Sequence, residues 1–273
     1  MKKIYITDLD HTFLKMDLSI SDYTKKIWNS YANSSIMSVA TARTYNKAVQ
    51  FLEGVEINAP MILLDGALIA TRDKKVISIK SISKDVSDMI ISEGAKLSIF
   101  PFVIALDGEG FNELFLHSHK LNFYQKKVLT RYAKDDNLFA MEHLQARKEN
   151  FKLVYIGEEK LLKELKEALV NLFGDELKFI LAPEIYTGSY FLTILHKNAD
   201  KSHGIESMSE YLGLDLQKLT VFGDNFNDMG MFDLAGTSVA VANAQRELKD
   251  MATIVLEYTH EEDGVARYLE ALR

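Results

Sequence analysis

The chain has no cysteine, only three prolines in 273 residues, and no uninterrupted apolar run long enough to span a bilayer. Without a thiol, disulfide stapling, thiolate nucleophiles and cysteine metal sites are excluded. A spanning helix needs roughly 18 or more consecutive apolar residues, and none is present. Lys2 and Lys3 precede a short apolar stretch, but Asp8 and Asp10 interrupt it far short of a signal-peptide core, so a cytoplasmic protein is expected. Basic clusters are also missing. Lys160 to Lys166 alternates with acids as a solvated helix face does, and the formal net charge is -7, so neither nucleic acid nor a membrane is an expected partner. No His-x-x-x-His pair stands on a helical stretch, which argues against zinc. Gly108 and Gly110 lack the strand-and-helix context of a nucleotide fingerprint.

What is present reads as an ordinary globular chain, 47% hydrophobic and 26% charged, long enough for one large α/β domain or two modest ones. Ile4 to Thr7 is a β-branched and aromatic run that reads as a central strand delivering Asp8 to its carboxyl end. A helix with Ser19 or Ser21 as N-cap is expected over Tyr23 to Tyr31, a second strand over Ser35 to Ala40, a helix over Tyr45 to Leu52 and a third buried strand over Met61 to Leu64. Strand and helix in alternation point to a doubly wound α/β fold with a mainly parallel, Rossmann-like sheet.

The rhythm changes after about residue 82. Helices are expected at Ser83 to Ser92, Tyr124 to Tyr132 and Glu159 to Phe173, with strands at Leu97 to Leu106, Glu113 to Ser118, Phe151 to Ile156 and Leu177 to Ala182. Two successive strands around Asp107 to Gly110 imply an antiparallel or mixed sheet with helices. Because βαβ order resumes afterwards, residues 82–189 are expected to be an inserted mixed α/β domain within a core made of 1–81 and 190–273. Phe191 to Leu195 is a strand that suits either domain. Leu219 to Phe222 is a central strand leading into Gly223 to Asp228, and a last helix is expected over Asp263 to Leu272.

Four polar clusters fall at strand ends or helix starts: Asp8 with Asp10, Thr41 with Arg43, Lys201, and Asp224 with Asn227 and Asp228. In an open parallel sheet such ends are neighbours in space. Taken alone, the Asp8 and Asp10 pair is equally an ordinary solvated turn. Acids from two strand ends, however, offer the hard oxygen ligands that Mg2+ takes, and a lysine and a hydroxyl beside them suit phosphate oxygens. The combination describes phosphoryl chemistry.

These motifs resemble those of the haloacid dehalogenase superfamily of aspartate-nucleophile phosphatases, in the Cof-type, sugar-phosphatase-like branch with a large inserted cap. Asp8-Leu9-Asp10-His11-Thr12-Phe13 resembles the first motif, Thr41-Ala42-Arg43 the second, Lys201 the third, and Gly223 to Met231 the fourth. Asn243-Ala244 and Glu262 to Val265 also resemble the branch's C-terminal pattern. The resemblance implies that Asp8 is a nucleophile forming an aspartyl-phosphate and Asp10 the acid and then the base. Thr41 and Lys201 then act on the transferring group, and Ala42, Arg43 and Asn227 support the substrate. It further implies Mg2+ held by Asp8, by Asp10 through its backbone carbonyl, by Asp224, and by Asp228 directly or through water.

The expected substrate is a small phosphorylated metabolite, first a sugar phosphate, with the cap closing over the site; no protein partner is expected. A phosphomutase or phosphotransferase would share the intermediate but pass its phosphate to an acceptor, and a non-catalytic binder would hold esters without releasing phosphate. Two residues depart from the family pattern: His11 stands where glycine is usual, and Asp65-Gly66 where Asn-Gly is frequent.

Overall fold

The computed structural model describes residues 2–107, 112–130, 137–184 and 188–273, and these divide into two compact units, Met1–Ile79 with Asp200–Arg273, and Lys80–Ala199. The first unit begins with strand β1 (Ile4–Thr7), all four residues buried. Helix α1 (Asp22–Tyr31) starts at Ser21, whose hydroxyl accepts from Thr24 N–H, and it buries Thr24, Ile27 and Trp28. Trp28 donates through Nε1 to Glu56 O at 2.9 Å and packs against Phe13 with ring centroids 4.8 Å apart. Strand β2 (Ile36–Val39), helix α2 (Tyr45–Phe51) and strands β3 (Met61–Leu63), β4 (Leu68–Ala70) and β5 (Val76–Ile79) complete this first segment.

The second unit runs β6 (Ile82–Ser83), α3 (Lys84–Lys96), β7 (Phe102–Asp107), β8 (Asn112–Ser118), α4 (Phe123–Leu129), β9 (Leu138–Met141), β10 (Glu149–Gly157), α5 (Glu159–Phe173), β11 (Leu177–Glu184) and β12 (Ser189–His196). Its strands form one mostly antiparallel sheet in the order β11-β12-β10-β7-β8-β9, with β6 paired to β10. Leu162, Leu165, Leu169 and Phe173 recur at helical spacing on α5 and bury against Leu153, Tyr155, Leu192 and Ile194 of the sheet. Each such side chain, fully buried, stabilises by about 1.5–3 kcal/mol.

The chain then returns to the first unit as α6 (Lys201–Leu212), β13 (Leu219–Gly223), α7 (Met229–Leu234), β14 (Thr237–Ala240), α8 (Arg246–Met251), β15 (Ile254–Val255) and α9 (Gly264–Ala271). The main sheet is β15-β14-β13-β1-β2, parallel at every pairing, which brings the carboxyl ends of β1, β2 and β13 to one edge.

Several sequence expectations need correction. Strand β12 does not open the second half of the core: it pairs with β10 and β11, so the return crossing lies at Ala199 and Asp200 rather than at residue 190. Strand β3 does not extend the parallel sheet as a ladder. It pairs antiparallel with β4 in a separate three-stranded sheet and meets the end of β2 through one parallel bridge, Ala40 to Ile62. Helix α3 continues to Lys96, which delays the next strand to Phe102, and β9 carries no clear alternation in sequence. The expected turn at Asp107 to Gly110 and the end of the helix at Tyr132 lie partly outside the described residues.

Candidate active site

Asp8 extends the β1 ladder by one bond, its N–H donating to Phe222 O at 2.9 Å. Immediately afterwards the chain turns tightly: Leu9 O accepts from Thr12, Phe13 and Leu14 N–H at 3.4, 3.0 and 2.8 Å. The turn passes through His11 at φ 59, left-handed backbone that a glycine would adopt without strain. At the end of β2, Thr41 N–H donates to Ile62 O at 2.9 Å, and its hydroxyl oxygen accepts from Arg43 N–H at 3.1 Å.

Lys201 enters at the first residue of α6, whose N-cap Asp200 accepts from His203 N–H at 2.9 Å. Gly66 lets this segment approach, because a Cβ on it would stand 2.0 Å from Asp200 O. At the end of β13, the two carboxylate oxygens of Asp228 are divided between partners. Oδ2 accepts from Asp224 and Asn225 N–H at 2.9 and 3.1 Å, while Oδ1 accepts from Lys201 Nζ at 2.6 Å. A Cβ on Gly223 would lie 2.6 Å from that same Oδ2, so the loop closes only with glycine there.

Lys201 Nζ also donates to Asp8 Oδ1 at 2.5 Å, and the side chains of Lys201 and Asp228 are fully buried. Asp8 Oδ2 has no hydrogen-bond donor among the described residues. Oxygens of Asp8, Asp224 and Asp228 all lie within 4.8 Å of one another. Burial, joined by repulsion from Asp228 and Asp224, holds the Asp8 carboxyl well above the usual carboxylate range against the pull of Lys201. Burial and Asp228 likewise raise Asp224 to about 6, although Thr12 Oγ1 donates to it at 3.2 Å. Burial opposes the charge on Lys201, but Asp228 and Asp8 outweigh it and hold the ammonium above its ordinary value. Burial is the main cause of both carboxyl shifts, and the neighbouring aspartates add to it. Three clustered carboxylates of this kind suit a hard divalent cation.

The side chain of Asp10 takes a different partner. Arg43 grips it with both arms of the guanidinium, Nε to Oδ2 at 2.9 Å and Nη2 to Oδ1 at 2.5 Å. Asn227 Nδ2 donates to Asp65 Oδ1 at 3.2 Å, and Asp65 is among the acids whose charge favours the Lys201 ammonium. The structure thus gathers Asp8, Lys201, Asp224 and Asp228 into one buried cluster and pairs Asp10 with Arg43 and Asn227 with Asp65. Thr41 and Ala42 lie in the loop between β2 and Arg43.

Sequence reasoning gave no role to the two loops, after β14 and after β15, that brace this region. Asn243 Nδ2 donates to His11 O at 2.8 Å, and Glu261 Oε1 accepts from Met16 N–H at 2.6 Å. Asp263 Oδ1 accepts from the Ser21 and Thr24 hydroxyls at 2.6 and 2.9 Å. The signal was present in the Asn243-Ala244 and Glu262 to Val265 pattern, but side-chain targets more than two hundred residues away are not readable from spacing.

A buried lysine and three carboxylates thus meet beside the carboxyl ends of parallel strands, groups that suit a divalent cation and phosphate oxygens. The chain belongs to the haloacid dehalogenase-like hydrolases, whose family model matches residues 5–269, and it is a phosphatase of that superfamily. It is 23% identical over 280 residues to a Bacillus subtilis 5-amino-6-(5-phospho-D-ribitylamino)uracil phosphatase, covering 96% of this chain and 94% of the relative. It is 24% identical over 275 residues to the HMP-PP phosphatase of Yersinia enterocolitica, covering 99% and 95%. A crystal structure from Thermotoga maritima superimposes with a TM-score of 0.83 at 26% identity, covering 100% of this chain and 98% of the other. No helix among the described residues is long and apolar enough to cross a membrane.

Proposed function

We propose that the chain is a Mg2+-dependent phosphomonoesterase that cleaves a small phosphorylated metabolite, first of all a sugar or polyol phosphate, through an aspartyl-phosphate on Asp8. The observation that carries this reading is the buried contact of Asp8 with Lys201 beside Asp224 and Asp228. The phosphoribityl compound named for one relative supports a polyol phosphate as the substrate class. Asp8 and Asp224 would hold the ion through carboxylate oxygens and Asp10 through its backbone carbonyl. Asp228, with both oxygens already engaged, would act on it through water. When bound, the ion supplies positive charge that keeps Asp8 ionised and screens it from an incoming phosphate dianion.

The chain's own groups then divide the chemistry. Asp8 Oδ2 forms a bond to phosphorus while the bond from phosphorus to the ester oxygen breaks, and that oxygen leaves with the electron pair and a proton from Asp10. Asp10, now a base, takes a proton from water as the water oxygen attacks phosphorus. The bond between phosphorus and Asp8 breaks, releasing inorganic phosphate and restoring both acids. Lys201 holds charge on Asp8 and the transferring group, and Thr41 has a hydroxyl proton to offer a phosphoryl oxygen. To work as the acid, Asp10 exchanges at least one Arg43 contact for the leaving oxygen.

The test is phosphate release, with Mg2+, across sugar phosphates, nucleotides and phosphorylated cofactors. Asp8→Asn is expected to remove turnover, and undiminished hydrolysis by that variant would end the nucleophile assignment. Transfer to an acceptor without free phosphate would favour a mutase or phosphotransferase.

A further inference from the structure

His11 occupies left-handed backbone, φ 59, immediately after Asp10, at a position where any side chain meets steric resistance. Several contacts converge on it from two loops, the one between β14 and α8 and the one between β15 and α9. Asn243 Nδ2 donates to His11 O at 2.8 Å, and Asn243 Oδ1 accepts from His260 N–H at 3.0 Å. The His260 ring meets the His11 ring edge-on, centroids 5.4 Å apart at 84°. The His260 side chain is buried, neither of its ring nitrogens has a hydrogen-bond partner, and Nε2 lies 3.6 Å from Glu261 Oε1 while the ring packs against His11. The loop that carries Asn243 also reaches the other side of the cation site, because Gln245 N–H donates to Asp224 O at 2.8 Å.

From this we infer that Asn243 and His260 are positioning residues: they clasp His11 in the left-handed turn and so fix the Asp8 to Asp10 backbone against the Asp224 loop. The clasp lets this chain carry histidine at a place that glycine would fill without help. The inference rests on the phosphatase reading for its catalytic meaning, but it concerns the geometry of the cation site and is readable without turnover. If the clasp works against strain at His11, losing it matters most while a side chain is there. Glycine, free to adopt φ above zero, keeps the turn unaided.

The experiment is calorimetric Mg2+ binding to the full chain, with Asn243→Ala and Asn243→Asp measured in the native background and again alongside His11→Gly. Asn243→Asp keeps the side-chain volume and the acceptor for His260 N–H but loses the donor to His11 O, so a loss shared by both variants is not a cavity effect. With His11 present, both are expected to weaken Mg2+ binding about tenfold, the lower end of what removing an outer-shell partner costs. With glycine at position 11 the loss is expected to shrink to about threefold or less, a coupling that a merely structural role would not produce. Equal losses in the two backgrounds, or no loss with His11 present, overturn the inference. So does a native chain that binds no Mg2+. A native chain that shows the expected binding pattern yet releases no phosphate from any ester ends the phosphatase reading and leaves the clasp standing.

Discussion

Asp224 holds its proton up to about 6, where an ordinary carboxyl has already lost it. The unfolded chain releases that proton near its reference value of about 3.9, so between the two values the folded state binds more protons than the unfolded state. Stability of the ion-free protein from this residue therefore falls as pH rises from about 4 to about 6. Asp8, raised for the same reason, acts in the same direction. A divalent cation competes with these protons, so added Mg2+ is expected to raise the melting temperature more at about pH 7.5 than at about pH 5. Equal shifts at the two values, measured by scanning calorimetry, would remove the carboxylates as the ion's site. The residues of this cluster were legible because each sits where an apolar strand stops or a helix starts. Arg43 was legible beside Thr41, but its pairing with Asp10 was not, because the two stand 33 positions apart and no periodicity links them.

The segment from Leu64 to Gly66 shows what an element can hide. Its Asp-Gly pair reads as a turn, and it is one, but Leu64, Asp65 and Gly66 are left-handed in succession at φ 52, 55 and 89. A buried leucine in that conformation has no signature in sequence. Gly66 is a different matter, since both its φ and the 2.0 Å approach to Asp200 O exclude a Cβ. Gly66→Ala is expected to destabilise by about 2–4 kcal/mol, lowering the melting temperature by roughly 5–15 °C. It is also expected to reduce phosphate release, because Asp200 begins the helix that presents Lys201. A variant that melts with the native chain would show that the segment yields. Strand and helix types were otherwise readable from period, and α5 falls on Glu159 to Phe173 as its pattern implies. Pairing was not: the apolar run from Phe191 to Leu195 reads as a strand, but nothing in it names β10 and β11 as its neighbours.

At the scale of the whole molecule, the alternation of strand and helix made the parallel core visible, and the break in that rhythm made the insertion visible. The two units differ in how their chain is laid out. Lys80–Ala199 is one continuous stretch with a core of its own, whereas the other unit needs residues from both ends of the chain. The protein's only tryptophan, Trp28, belongs to the second kind, buried in the unit that carries the site and packed on Phe13 just beyond the His11 turn. Tryptophan emission is therefore a private optical channel to that unit, while far-ultraviolet circular dichroism sums over both. Denaturant curves recorded by the two signals are expected to diverge, the mark of units that come apart in separate steps. Superimposable curves would mean that the molecule unfolds as one. With no second indole to subtract, the emission needs no engineered label to follow the active unit alone.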